Sequence, residues 1–364
     1  MKRLSILLIM VLASHTSSEV INEQVDKHLN SPAFYYAVVS PHSIEYTYSK
    51  GKLNLTAKRE IDEEVQFPLF SITKTFTAVA ILQLEEKGKL NLDDLAITYL
   101  PQYEFLGEIS IRHLLSHQSG LNNPIPIRWI HLQEDDERFD YEKFSEETLF
   151  KKAKAIRKPR KKASYSNLNY LVLGEIVAKV SGQSYQEYIT TNVLNNPSIG
   201  FKWDNSNAVT GYHESGLQSF ILGFLLDKSK YMEPKQGRLL PFKKVYLNGA
   251  AHGGLFATPK GLNGFLQELL KSNSSILSDK NKELMFKQQT LSNGKPSGHT
   301  LGWFSGELDG HSYVHHAGGG GGFYLELRIY PELNMATYVL TNKSGFSDKR
   351  LLDKLDANIL RAMH

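Results

Sequence analysis

Ser71 and Lys74 lie three residues apart at the head of the run Phe70-Ser71-Ile72-Thr73-Lys74-Thr75-Phe76, which continues apolar to Leu84. On a helix that spacing puts both side chains on one face and within reach of each other. From Ile72 to Leu84 the run is apolar on nearly every side, which predicts a buried helix. Burial favours the neutral form of a lysine, and a neutral amine can take the proton of a serine. A serine in the first helical turn also meets the positive end of the macrodipole. These features assign Ser71 as a nucleophile and Lys74 as its base. Ser-x-x-Lys also occurs at Ser49/Lys52 and Ser292/Lys295, beside Gly51 and Asn293-Gly294, which read as turns. Only the middle pair opens a buried helix.

A serine hydrolase further needs a proton donor for the leaving group, an oxyanion hole and a hold on the substrate. Tyr165-Ser166-Asn167 places a phenol and an amide before a predicted helix reaching about Ser181. The phenol could shuttle protons if a lysine lowered its pKa, and the amide could bind a substrate carbonyl. Tyr246-Leu247-Asn248 repeats the pattern in a strand-like run before Gly249. His316-Ala317 is followed by five glycines, Gly318 to Gly322. Such a run weakens a strand unless something must approach its backbone, and a substrate on a sheet edge is one such thing. A free N–H there could complete an oxyanion hole. His252-Gly253-Gly254 is a rival His-x-Gly placed before a helix. Adjacent His315 and His316 raise a metal site, but neighbours on a strand point to opposite faces. No metal and no cofactor is expected.

The elements that must position these groups follow from pattern. Phe34–Ser40 and Ser43–Tyr48 read as strands joined at Pro41-His42, after a short helix from Glu19 to Leu29. Helices are predicted at Ile111–His117, Tyr185–Leu194, Gly261–Lys271 and Ser347–Met363, and strands at Leu301–Gly306, His311–His316, Phe323–Ile329 and Met335–Leu340. Residues 122–164 read as irregular and polar; residues 205–250 read as mixed, with an apolar patch at Phe220–Leu226. Strands at both ends with helices between predict an α+β fold: an antiparallel sheet built from both chain ends, flanked by helices, with a mainly helical lobe inserted. The expected division is an α/β lobe from 19–70 and 250–364 and a helical lobe from 71–249, with the site in the cleft between them.

The 364 residues and 41% hydrophobic content support a large core. A net charge of +4 is too small to imply nucleic acid by itself. Lys151–Lys162 holds eight basic residues of twelve, which reads as a solvated face that could attract anionic substrates. The absence of cysteine excludes disulfides, a cysteine nucleophile and cysteine-ligated zinc. Met1-Lys2-Arg3, the apolar Leu4–Ala13 and the small residues to Ser18 read as a signal peptide over 1–18, so an exported, periplasmic or secreted protein without a stable membrane span is expected. There is no Gly-x-Ser-x-Gly pentapeptide and no His-Glu-x-x-His.

Taken in order, these motifs resemble the serine β-lactamase-related superfamily, which includes class C β-lactamases, D-alanyl-D-alanine carboxypeptidases and esterases. The resemblance covers nearly the whole chain after residue 18. It also rests on Gly88–Asp94, Ile111–Leu121, Gly253-Gly254-Leu255 and Gly302-Trp303. It implies Ser71 as the acylated nucleophile, Lys74 as its activating partner, Tyr165 as general base and acid, and Asn167 as a substrate contact. His316 and Gly318 would form the third motif, with Gly319 N–H joining Ser71 N–H in the oxyanion hole. Two features depart from the family: Pro159-Arg160 stands where Pro-Gly is frequent, and histidine rather than lysine opens the third motif. The latter suits a carboxypeptidase or an esterase better than a dedicated β-lactamase. The implied partners are a β-lactam, a D-Ala peptide or an ester. The implied alternative is a non-catalytic or slowly deacylating sensor of peptidoglycan or β-lactams on the same fold.

Overall fold

A computed structural model describes residues 31–124, 126, 129–194, 196–215, 226–344 and 351–362. The expected signal peptide, the helix at Glu19–Leu29, most of the Phe220–Leu226 patch and the start of the last helix lie outside them.

Six strands make one antiparallel sheet. In chain order they are β1 (Ala33–Val39), β2 (Ile44–Gly51), β3 (Phe304–Leu308), β4 (His311–Gly320), β5 (Phe323–Tyr330) and β6 (Met335–Thr341). Their spatial order is β3-β4-β5-β6-β1-β2, so the first strand pairs with the last and both chain ends meet in the sheet, as the pattern predicts. All seven residues of β1 are buried, because both sheet faces are covered. Successive side chains point to opposite faces. Tyr35, Ala37 and Val39 enter the core shared with the helices, while Phe34, Tyr36 and Val38 pack toward the helix Leu351–Ala362 with Leu352 and Leu355. That helix is also tied to the sheet by a buried acid, Asp356, which accepts hydrogen bonds from Tyr36 (3.1 Å), Tyr330 (2.7 Å) and Thr337 (2.9 Å).

Between the sheet's two halves lie the helices that bear on the site: α1 (Thr73–Glu86), α2 (Ile111–Leu115), α3 (Asn167–Ser181) and α4 (Ala250–Gly253). Every residue of α1 from Thr73 to Leu84 is buried. Its polar side chains turn toward one partner segment: Thr77 Oγ1 donates to Ala251 O (2.7 Å), Lys74 Nζ to His252 O (2.7 Å), and Thr73 Oγ1 accepts from Leu255 N (3.1 Å). A helix this uniformly buried is held by matching its few polar groups to backbone.

Three expectations on element limits are corrected. Residues 122–164 contain the strand Ile130–Leu132 and the helix Tyr141–Lys152. The helix went unread because only Thr148 and Leu149 of its twelve residues are buried, so no apolar stripe marks it. The strand predicted at Leu301–Gly306 begins at Phe304, because Gly302 turns the chain at φ +91°. Ser49 lies within β2, opposite Tyr35, rather than in a turn. The basic run is exposed at every charged position from Lys151 to Lys162 and is pinned by backbone bonds such as Ile156 N to Gly120 O (3.0 Å).

Candidate active site

Ser71 does not lie in the first turn of α1, as its spacing suggests, but in a 3-10 turn, Phe70–Ile72, that feeds it. The turn is forced by Phe70, which sits at φ +46°, a region costly for a residue with a side chain. Its ring is anchored against Phe323 (6.1 Å between centroids). The first N–H groups of a helical turn have no internal acceptor, and here the first bond is from Ile72 N to Leu69 O (3.1 Å). Ser71 N–H therefore precedes the hydrogen-bonded ladder.

The structure brings Ser71, Lys74 and Tyr165 together. Tyr165 Oη donates to Ser71 Oγ at 2.8 Å, and Lys74 Nζ lies 3.2 Å from the same oxygen. Lys74 is fully buried, and burial drives its pKa well below the usual lysine value. Burial pushes the Tyr165 phenol up, with only the Ser71 hydrogen bond opposing. The condition set out for the phenol, that a lysine lower it, is not met. A lysine held neutral exerts no such pull, and Tyr165 stays protonated. The serine oxygen thus has a neutral amine on one side and a phenolic donor on the other.

The third motif lies on β4. Strand β3 pairs with β4 only from His311 to His315, so the edge from His316 to Gly320 is left open beside the Ser71 turn. His316 is buried, and its Nδ1 bonds Ala317 O at 2.8 Å. Burial holds the imidazole neutral. His315 lies on the other face, 3.6 Å from Glu326. The glycine run answers two demands. A Cβ on Gly318 would fall 2.3 Å from Leu69 O and one on Gly322 would fall 2.2 Å from Tyr212 N, so at these positions the chain's own backbone makes the close approach. Gly319 is exposed on the open edge, with nothing nearer than 3.5 Å to a Cβ placed there.

Substitution of Gly318 by alanine is therefore expected to displace the Ser71 turn. Overpacking of this kind costs about 1–3 kcal/mol, measurable by denaturant unfolding. Misplacing a nucleophile by about 1 Å costs roughly 10²-fold in rate, measurable as slower acylation. Unchanged acylation would contradict the packing.

Asn167 opens α3; its N–H donates to Asn123 Oδ1 (3.0 Å), and its own Oδ1 is buried without a hydrogen-bond partner. The rival motifs prove structural in different ways. Tyr246 Oη accepts from Trp203 N (3.0 Å) and Asn248 Oδ1 meets His131 Nδ1 (2.9 Å). His252 serves the site through its carbonyl, which holds Lys74 in place. Sequence reading missed that role because backbone acceptors leave no residue signature.

Beyond the open edge lies a cavity of about 400 Å³. It is lined mainly by apolar groups, Phe70, Ile130, Phe242 and Leu247 among them, and by the backbone of Gly319–Gly322. No group of three or more metal-ligating side chains occurs among the described residues, and no helix among them is long and apolar enough to cross a membrane.

Comparison with known proteins agrees with this geometry. Residues 21–361 match the family model described as Beta-lactamase. Penicillin-binding protein 4* of Bacillus subtilis is 27% identical over 313 residues, covering 82% of this chain and 66% of that protein. A putative penicillin-binding protein, PbpX, of the same organism is 29% identical over 52% of this chain and 51% of its own length. The chain thus spans about half to two thirds of these curated relatives. Among solved structures, D-amino acid amidase from Ochrobactrum anthropi SV3 superposes with TM-score 0.77 at 17% identity, covering 96% of this chain and 100% of that one. The octameric penicillin-binding protein homologue from Pyrococcus abyssi gives 0.73 at 24% identity, over 96% and 77%. At these identities the superpositions speak for the fold.

Proposed function

The chain belongs to the β-lactamase family, and we propose that it hydrolyses an amide or ester through an acyl-enzyme on Ser71. The observation that carries this reading is the convergence on Ser71 Oγ of a neutral, buried Lys74 at 3.2 Å and a protonated Tyr165 at 2.8 Å. Lys74 takes the Ser71 proton as Oγ attacks the carbonyl. The oxyanion forms between Ser71 N–H and Gly319 N–H, and these fixed dipoles stabilise it. Tyr165 gives its proton to the leaving group and is resupplied by Lys74. Water then attacks the acyl-enzyme by the reverse relay, and the freed acid leaves Ser71 protonated. Asn167 holds the acyl carbonyl side of the substrate.

The neutral state of His316 bears on the substrate. An imidazole with Nδ1 engaged by Ala317 O supplies no cation to clamp a substrate carboxylate. The apolar cavity beside Gly319–Gly322 favours an apolar group next to the scissile bond. Both features support an esterase or amidase acting on substrates without a free carboxylate beside the scissile bond, D-amino acid amides among them, over a carboxypeptidase or a dedicated β-lactamase. An exported location follows from the basic and apolar start of the chain and belongs to the same reading.

The test is intact-protein mass spectrometry with a penicillin, a p-nitrophenyl ester and a D-amino acid amide, alongside turnover of each. A mass increase that maps to Ser71 is expected, and Tyr165→Phe is expected to slow its appearance roughly 10²- to 10⁴-fold. No adduct and no turnover with any of the three would reject the proposal. A stable adduct without turnover would place the chain with acylated sensors instead.

A further inference from the structure

We propose that His117, on the segment after α2, is a positioning residue that fixes Tyr165 by accepting hydrogen bonds on both sides of it. The inference rests on the reading of Ser71 and Tyr165 as the reacting pair. His117 O accepts from Ser164 N at 2.8 Å, and His117 Nδ1 accepts from Ser166 N at 3.2 Å. The two peptide N–H groups flanking Tyr165 are thus both held by one residue. Its ring packs against the Tyr165 ring at 4.5 Å between centroids.

The imidazole is itself fixed. Asn169 Nδ2, one turn into α3, donates to Nδ1 at 3.0 Å, and Asn169 Oδ1 accepts from Ser119 Oγ at 2.6 Å. With two donors converging on Nδ1, the ring proton resides on Nε2, and only this tautomer can hold Ser166 N–H. The backbone of His117 lies at φ +54°, a conformation that non-glycine residues rarely keep without compensation. A strained residue that is 3% exposed and whose acceptors are spent on the two neighbours of one tyrosine is a device for orientation. It contacts no reacting atom. It sets where Tyr165 Oη points, and so the 2.8 Å contact with Ser71.

Asparagine separates this role from general packing. Its Oδ1 reproduces the Nδ1 acceptor, and asparagine tolerates positive φ better than most residues. The acylation rate of Ser71 by a p-nitrophenyl ester or a fluorescent penicillin, whichever labels wild type, is measured for wild type, His117→Asn and His117→Leu, with thermal unfolding of each. His117→Asn is expected to stay within about 3-fold of wild type, and His117→Leu to fall on the order of 10²-fold while still folded. Equal loss in both variants would overturn the acceptor role in favour of ring packing, and no loss in His117→Leu would overturn the proposal altogether. Should His117→Leu fail to fold, Asn169→Leu frees the ring without removing it; a rate equal to wild type there would also overturn the proposal. Failure of wild type to label with either probe would strike the acyl-enzyme reading itself, which keeps the two outcomes apart.

Discussion

Alanine at Ser71 is expected to abolish covalent labelling and to lower turnover on the order of 10⁴- to 10⁶-fold, the range seen when a nucleophile is removed from a working constellation. The expectation follows from how few alternatives surround the site. Tyr165 and Lys74 both direct their polar atoms at Ser71 Oγ, and Lys74 is otherwise bound to the carbonyl of His252. Neither is placed to form an ester by itself: the phenol is held protonated by burial, and the amine is enclosed by α1, α4 and the rings of Tyr165 and Tyr170. Removing one hydroxyl leaves the Tyr165 phenol without its acceptor while Lys74 keeps His252 O, a loss of about 1–3 kcal/mol in stability. The variant should therefore fold, and loss of label can be read as loss of the nucleophile. Peptide mapping of the labelled wild-type protein checks the position. Label that persists in Ser71→Ala would mean that another group is acylated.

Replacing Lys74 with methionine should separate chemistry from stability. Acylation is expected to fall roughly 10²- to 10⁴-fold, the contribution of a positioned general base. Folding should move the other way. A fully buried amine is held against its preference for water, which is why burial lowers its pKa. The sign follows from proton uptake. Between the lowered native pKa and the ordinary value of 10.5, the unfolded chain binds a proton on Lys74 that the folded chain does not. Wild-type stability therefore rises with pH through that window. Lys74→Met lacks this dependence, so its denaturant midpoint should exceed that of wild type at pH 7 and the gap should narrow toward pH 10. A midpoint below wild type at neutral pH would show that the His252 hydrogen bond outweighs desolvation. Unchanged acylation would remove Lys74 from the mechanism.

Much of this arrangement is legible in the chain. The unbroken apolar run after Ser71 separated one Ser-x-x-Lys from its two look-alikes, because a lysine in a fully buried helix must be neutral or paired. The β-rich runs Phe34–Ser40, Phe323–Ile329 and Met335–Leu340 foretold strands at both ends that close into one sheet, since a half-matched strand would leave its edge bare. Period and burial are local properties, and a sequence displays them directly.

Other features depend on where distant segments meet. No pattern indicates that His252 O holds Lys74, that Gly318 clears Leu69 O, or that β3 begins only at Phe304, opposite His315, and leaves the His316–Gly320 edge open. The direction of the Tyr165 shift is hidden for the same reason, because it depends on burial of the phenol and on the neutrality of its lysine. Residue types and spacing determined which groups could react. Backbone approaches between segments up to about 250 residues apart, from Leu69 to Gly318, decided which of them do meet, because hydrogen bonds to peptide groups and the fit of a missing Cβ are set by tertiary packing and carry no signature in the side chains.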